Sequence, residues 1–114
     1  DQIRWMVQYT SRIHVSEPVA EYVATLTHAT RNRPELRLGA SPRGSLALVR
    51  VAQAWAAADG RVFVTPDDVK AVAEPVLAHR LLVDPEAEIK NVRAGDVLEE
   101  VLSATPVPGG ASVR

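Results

Sequence analysis

Cysteine is absent from the chain, which excludes disulfides and thiolate metal sites and points to a cytoplasmic location as the expectation. Aromatic residues are scarce, at 4% against 46% hydrophobic overall, so a core has to be built from Ala, Val and Leu on closely approaching helices. Lysine occurs only at Lys70 and Lys90, and neither follows a glycine-rich turn. A phosphate-cradling loop of the G-x-x-x-x-G-K-[ST] kind is therefore missing from these residues. No apolar run approaches the roughly 20 residues needed to cross a bilayer, so no membrane span is expected. The first residues lack the basic start and apolar stretch of a signal peptide, and the opening Asp1 in place of Met suggests a piece of a longer protein. A net charge of −1 provides no global attraction to nucleic acid or anionic lipid. His14, His28 and His79 lie far apart without a His-x-x-x-His spacing, so no metal site is expected. Asp67-Asp68 and Glu99-Glu100 are better read as charges at helix starts or on solvated faces than as catalytic pairs.

What the 114 residues do contain is room for one domain and a repeated signal for opening helices. Ser16-Glu17-Pro18, Ser41-Pro42 and Thr65-Pro66 each place a hydroxyl at an N-cap and a proline in the first turn. The hydroxyl accepts an orphan backbone N–H, and the N–H that proline lacks would have had no partner there. After the first signal, Val19, Tyr22, Val23 and Leu26 form one apolar face, on a helix ending near Thr30. After the second, Leu46, Leu48, Val49, Val51, Ala52, Trp55 and Ala56 cover more than half the circumference, which predicts a central helix stopped at Asp59-Gly60. The third opens Val69, Val72 and Ala73 and meets Glu74-Pro75, where a break is expected before a short helix through Val76, Leu77 and Leu81. A further helix is expected from Asp96, with Glu99 in the capping-box position and Val97, Leu98, Val101 and Leu102 inward. Ile3, Met6 and Val7 suggest an N-terminal helix. Leu36–Leu38 and Val62–Val64 are short extended candidates, Leu82–Arg93 reads as an irregular connection with room for one helical turn, and Pro106 onward reads as a frayed tail. The fold class is all-α: a small bundle of four or more helices with at most one short two-stranded pairing.

One residue resists this bland reading. Arg43 falls in the first turn of its helix, where the macrodipole disfavours a cation by roughly 0.3–1 kcal/mol. The same terminus presents free N–H groups and suits an anion. Arg31, Arg33, Arg37 and Arg50 add positive charge, partly offset by Glu35. On this physics alone, Arg43 either meets a bound phosphate or is solvated or paired with a nearby carboxylate.

Thr30-Arg31, Leu38-Gly39-Ala40-Ser41-Pro42-Arg43, Gly60-Arg61, Val64-Thr65-Pro66-Asp67-Asp68-Val69 and Val76-Leu77-Ala78-His79-Arg80-Leu81 together resemble the C-terminal lid of MoxR-family AAA+ ATPases. The resemblance runs from about Ile13 to Pro108. It implies that Arg43 is the sensor-2 arginine, reaching from the lid to the phosphates of ATP bound by the core, with Ser41 beside it at the nucleotide. Arg31 and Arg80 also match family positions, with structural or inter-subunit roles. Gly44 departs from the family, which more often has alanine there. The resemblance further implies domains: residues 1–12 as a truncated helix joining a missing ATPase core, 13–108 as the lid, 109–114 as a disordered tail. The intact protein would use ATP and Mg, assemble with neighbouring subunits into a ring (usually a hexamer), and act as a chaperone-like remodeller, often beside proteins with von Willebrand factor A domains. The lid alone carries no cofactor and no catalytic machinery of its own.

Two readings from other classes remain: a helix-turn-helix DNA binder on the Ser41 and Thr65 helices, and a helical interaction module without nucleotide contact. The first suffers because Asp67-Asp68 would open the recognition helix against phosphates of like charge. A gel-shift with duplex DNA at low salt is expected to show no retarded band; a retarded band would favour the DNA reading.

Overall fold

The computed structural model describes residues 12–108. The N-terminal helix read from Ile3, Met6 and Val7 and the tail beyond Pro108 lie outside the described residues. Within them, five α-helices surround one core: α1 Glu17–Arg31, α2 Pro42–Ala58, α3 Pro66–Leu77, α4 Pro85–Ile89 and α5 Ala94–Ala104. Two short strands, β1 Leu36–Leu38 and β2 Leu82–Val83, make an antiparallel pair.

The three hydroxyl-plus-proline signals open the three long helices. Ser16 accepts from the Val19 amide, Ser41 from Gly44 and Thr65 from Asp68. Helix α2 closes at Asp59, and Gly60 takes φ +80° beyond it, a backbone angle that costs glycine little. Its inward side, Leu48, Ala52 and Ala56, packs on Val69, Val72, Ala73 and Leu77 of α3. Val19, Tyr22, Val23 and Leu26 of α1 and Val97, Leu98 and Val101 of α5 complete the core. Leu46, Val51 and Trp55, counted in the sequence toward an apolar surface over more than half the circumference, are about half-exposed, so α2 is central on one side only.

Three expectations are corrected. Glu74-Pro75 does not break α3, which continues through Pro75 to Leu77 before a 3-10 turn at Ala78–Arg80. An interior proline costs about 3 kcal/mol, but here it removes a single bond near the helix end. The carbonyl it leaves unpaired belongs to exposed Ala71, open to solvent. Complete burial of Leu77 offsets most of the remainder, at roughly 1.5–3 kcal/mol.

Second, the strand that pairs with Leu36–Leu38 is Leu82–Val83, inside the stretch read as irregular; the helical turn expected in that stretch is Pro85–Ile89, capped by Asp84. Val62–Val64 spends its backbone groups elsewhere: the His14 amide donates to Val62 O at 2.8 Å, and the Val64 amide donates to His14 O at 2.9 Å. Third, α5 begins at Ala94, because the Asp96 carboxylate accepts the Arg93 amide at 3.3 Å and draws the cap back to Arg93.

The start of α3 is secured by more than its cap. Asp68, 3% exposed, receives both terminal nitrogens of Arg61 at 2.6 Å and the Thr65 amide at 2.7 Å. Burial alone would raise the Asp68 pKa; the bonds from Arg61 and Thr65 outweigh it and hold the carboxyl below its ordinary value. A depressed folded pKa means the contribution is complete above the ordinary carboxylate pKa, about 3.9, and is lost as pH falls through the folded value. Asp68→Ala is expected to cost roughly 2–3 kcal/mol of stability at neutral pH, through the lost cap and charged hydrogen bonds. Denaturant melts from about pH 6 to pH 2 should show the variant's deficit shrinking below about pH 4. A deficit independent of pH would remove the ion pair from the explanation.

Candidate functional site

Residues at the end of α1 and the start of α2 are joined through a single loop residue, Ala40. Its amide donates to Thr30 Oγ1 at 2.9 Å, and its carbonyl accepts from Arg31 Nε at 2.8 Å. Thr30 is fully buried and passes its own proton to the Thr27 carbonyl at 2.6 Å. Ser45 Oγ donates to Thr27 Oγ1 at 2.9 Å, and Thr27 Oγ1 donates to the Val23 carbonyl at 3.1 Å. Gly39 makes the approach close enough. A Cβ there would lie 2.7–2.8 Å from backbone atoms of Thr30 and Arg31, where no side chain fits. Ala40 leads directly into Ser41, Pro42 and Arg43, so this clasp fixes where α2 begins.

Arg43 is exposed and, among the described residues, makes no ion pair or hydrogen bond through its side chain. The paired-carboxylate alternative therefore finds no partner in the described structure. Every other described α-helix carries an acidic residue in its first turn: Glu17, Asp67 and Asp68, Glu86 and Glu88, and Asp96. Helix α2 has none and presents Arg43 instead. Arg80, on the 3-10 turn after α3, lies close by, its Cδ 3.8 Å from the position of a Cβ on Gly44. Arg33 is engaged elsewhere, bonded to Glu35 and to Glu100 of α5, so its charge is compensated.

The structure thus brings Ser41, Arg43, Arg31 and Arg80 to one end of α2; of the charges that the residue-by-residue reading set around Arg43, Arg31 joins it through the loop, while Arg80 had not been among them. Arg31 reaches the site through its Nε contact with the loop, and its terminal nitrogens are not engaged among the described residues. Thr27, Thr30, Ser45 and Gly39 escaped the sequence reading as contributors to the site. The only local signal for them was a run of hydroxyls on one side of α1 ahead of the Gly-Ala step. Chemically, a terminus with cations and free N–H donors but no acid attracts a multiply charged oxyanion. It offers no nucleophile and no general base. Among the described residues no cluster of three His, Asp or Glu side chains could hold a metal, and no helix is long and apolar enough to cross a membrane.

The described residues thus form a small helical bundle with an arginine, unpaired among them, at the start of a helix clasped to the one before it. The AAA lid domain family matches residues 28–101. The chain is 38% identical to the uncharacterized protein YeaC of Bacillus subtilis over 84% of its length, which is 30% of that protein. It is 38% identical to the protein MoxR of Paracoccus denitrificans over 86% of its length, 33% of that protein. With the chaperone MoxR1 of Mycobacterium tuberculosis it shares 32% over 82% of its length and 27% of that protein. A crystal structure from Cytophaga hutchinsonii, assigned as an ATPase, superposes with a TM-score of 0.82 at 28% identity, over 88% of this chain and 33% of that one. The chain belongs to the AAA lid domain family, as the lid of a MoxR-family AAA+ ATPase. It spans about a third of the length of the curated relatives it matches.

Gly44, the departure from the family pattern, is buried in the first turn of α2 without a positive φ. A Cβ there would meet Leu77 Cδ2 at 3.4 Å and Ala40 Cβ at 3.5 Å, which are ordinary contacts. Gly44→Ala is therefore expected to stabilise the domain by roughly 0.5–1 kcal/mol. Thermal unfolding should register this as a rise of roughly 2–6 °C in Tm. A lowered Tm would show that the first turn has no room to spare.

Proposed function

We propose that this chain closes over ATP bound by the nucleotide-binding core of a longer AAA+ ATPase, with Arg43 as its sensor-2 arginine. The observation that carries the reading is the start of α2: an exposed arginine, unpaired among the described residues, at the one described α-helix whose first turn holds no acid. Ser41 keeps the Gly44 amide occupied while the Arg43 amide remains a free donor to an oxyanion. Arg80 supplies a second cation at the rim, and Arg31 couples the terminus to α1. ATP and Mg would be held by the core, whose P-loop and acidic residues supply the chemistry that this chain lacks. In a cytoplasmic ring, each lid would pass the nucleotide state to neighbouring subunits by rigid-body motion. The chaperone MoxR1 of Mycobacterium tuberculosis supports a remodelling role for the assembly. Partnership with von Willebrand factor A domain proteins rests on the family resemblance alone.

A docking module without nucleotide contact is the second reading. It is favoured by Leu38, Trp55, Val62, Phe63 and Leu82, all large, apolar and about half-exposed or more. The two readings part on Arg43.

In the full-length ATPase, Arg43→Ala is expected to lower ATP turnover about tenfold or more, equivalent to about 1.4 kcal/mol of barrier. Arg43→Lys should rescue in part, because an ammonium lacks the fork that spans two phosphate oxygens. The stability of the isolated chain should stay level or rise slightly as a cation leaves the positive helix end. Unchanged turnover would take Arg43 out of the nucleotide site and favour docking. Calorimetry on the isolated chain is expected to find no submicromolar ATP binding, since a helix terminus and one arginine make only part of a phosphate site.

A further inference from the structure

The start of α2 is held by more bonds than a helix start requires. Ser41 already caps it, as Thr65 caps α3; where Arg61 and His14 bind the approach to α3, the approach to α2 is gripped by α1. Both polar backbone atoms of Ala40 are bound by consecutive residues of α1, and Gly39 is pressed against the same two residues. Thr30 is the buried arm of this clasp. With 0% exposure its hydroxyl has no access to water, and its single proton is committed to the Thr27 carbonyl. Its oxygen is then fixed as an acceptor, aimed at the Ala40 amide. Only Ser41 and Pro42 lie between Ala40 and Arg43, and the φ of Pro42 is locked. Little backbone freedom is left between the Thr30 hydroxyl and the direction in which Arg43 leaves the helix.

We propose that Thr30 is a positioning residue for Arg43, acting through the Ala40 amide; the proposal rests on the sensor-2 reading of Arg43. An arginine on a long flexible stem loses effect quickly when its origin shifts, because stabilising a reacting phosphoryl group demands placement to within about an ångström. A threonine serving only to fill the core would be replaced without catalytic loss by valine, which has its shape. A positioning threonine needs the oxygen.

The test is a cycle of variants in the full-length ATPase, read as turnover of ATP with magnesium. Thr30→Val keeps the volume and removes the acceptor; it is expected to lower kcat about fivefold. Thr30→Ser keeps the acceptor and loses the methyl group; it is expected to hold kcat within about twofold of wild type even where its Tm falls below that of Thr30→Val. In the Arg43→Ala background, Thr30→Val should have almost no further effect, since the group it positions is gone. If Thr30→Ser loses as much as Thr30→Val, or if Thr30→Val costs its full factor on top of Arg43→Ala, Thr30 does not act through Arg43 and the proposal fails while the sensor-2 reading stands. If Arg43→Ala by itself leaves turnover unchanged, both fall together. Hydrogen exchange on the intact protein gives a second reading: the Ala40 amide should lose protection in Thr30→Val and keep it in Thr30→Ser. Equal protection in the two would also overturn the proposal.

Discussion

Ala52 and Ala56 of α2 and Ala73 of α3 are wholly buried, and the face they form is where α2 and α3 make the most extensive interhelical contact of the described residues. An alanine has no side-chain rotamers to freeze and lets two backbones draw together. Among the described aromatic residues Tyr22 alone is buried, while Trp55 and Phe63 are about half-exposed, so rings fill little of the interior. Leu48, Val69, Val72 and Leu77 close the remaining space around the small residues. Because interiors tolerate overpacking poorly, this seam fixes the relative position of α2 and α3. The other elements are arranged upon it: α1 and α5 cover the core, and the strand pair ties the loop after α1 to the turn after α3.

Local chemistry was legible in the sequence at the hydroxyl-plus-proline helix starts, though not at α5, whose Asp96 caps back to Arg93. Ser16, Ser41 and Thr65 cap what they were expected to cap, and Gly60 takes the left-handed position after α2. Pro75 misled, because a proline's cost depends on how near the helix end it falls and on what its neighbour Leu77 buries. The partner of β1 was also out of reach. Leu36–Leu38 and Leu82–Val83 are joined by a fold, not by a hairpin signal, and nothing in Val62–Val64 announces that His14 will occupy it. At the site, Arg43 could be singled out from its own helix dipole and from the family pattern. The bonds from Thr30 and Arg31 to Ala40 could not, since they connect residues nine and ten apart through side chains whose directions only packing decides.

The distribution of charge at helix starts connects stability with function. At α3, Asp68 satisfies the terminus from within the protein and joins it to Arg61. At α2 the terminus has been left without an acid, and the cation that replaces one works against the helix. Natural domains accept such local costs at sites where the compensating charge arrives with a ligand. The clasp on Ala40 and the seam with α3 supply from elsewhere the order that a favourable terminus would have provided.

Arg43 and the loop that carries Phe63 sit at opposite ends of one rod. Seventeen residues of α2 span roughly 25 Å at about 1.5 Å per residue. At the far end, Arg61 is bound to Asp59 and Asp68, which binds the end of α2 to the start of α3. Gln53, a turn and a half before that end, holds the carbonyl of Ile13 at 2.9 Å. A displacement of about 1 Å at Arg43 would turn such a rod by only about 2° about its far end. The same helix that carries the cation therefore also carries leverage: its angle, rather than any chemical change along its length, is what the residues around Ile13 and Phe63 would feel.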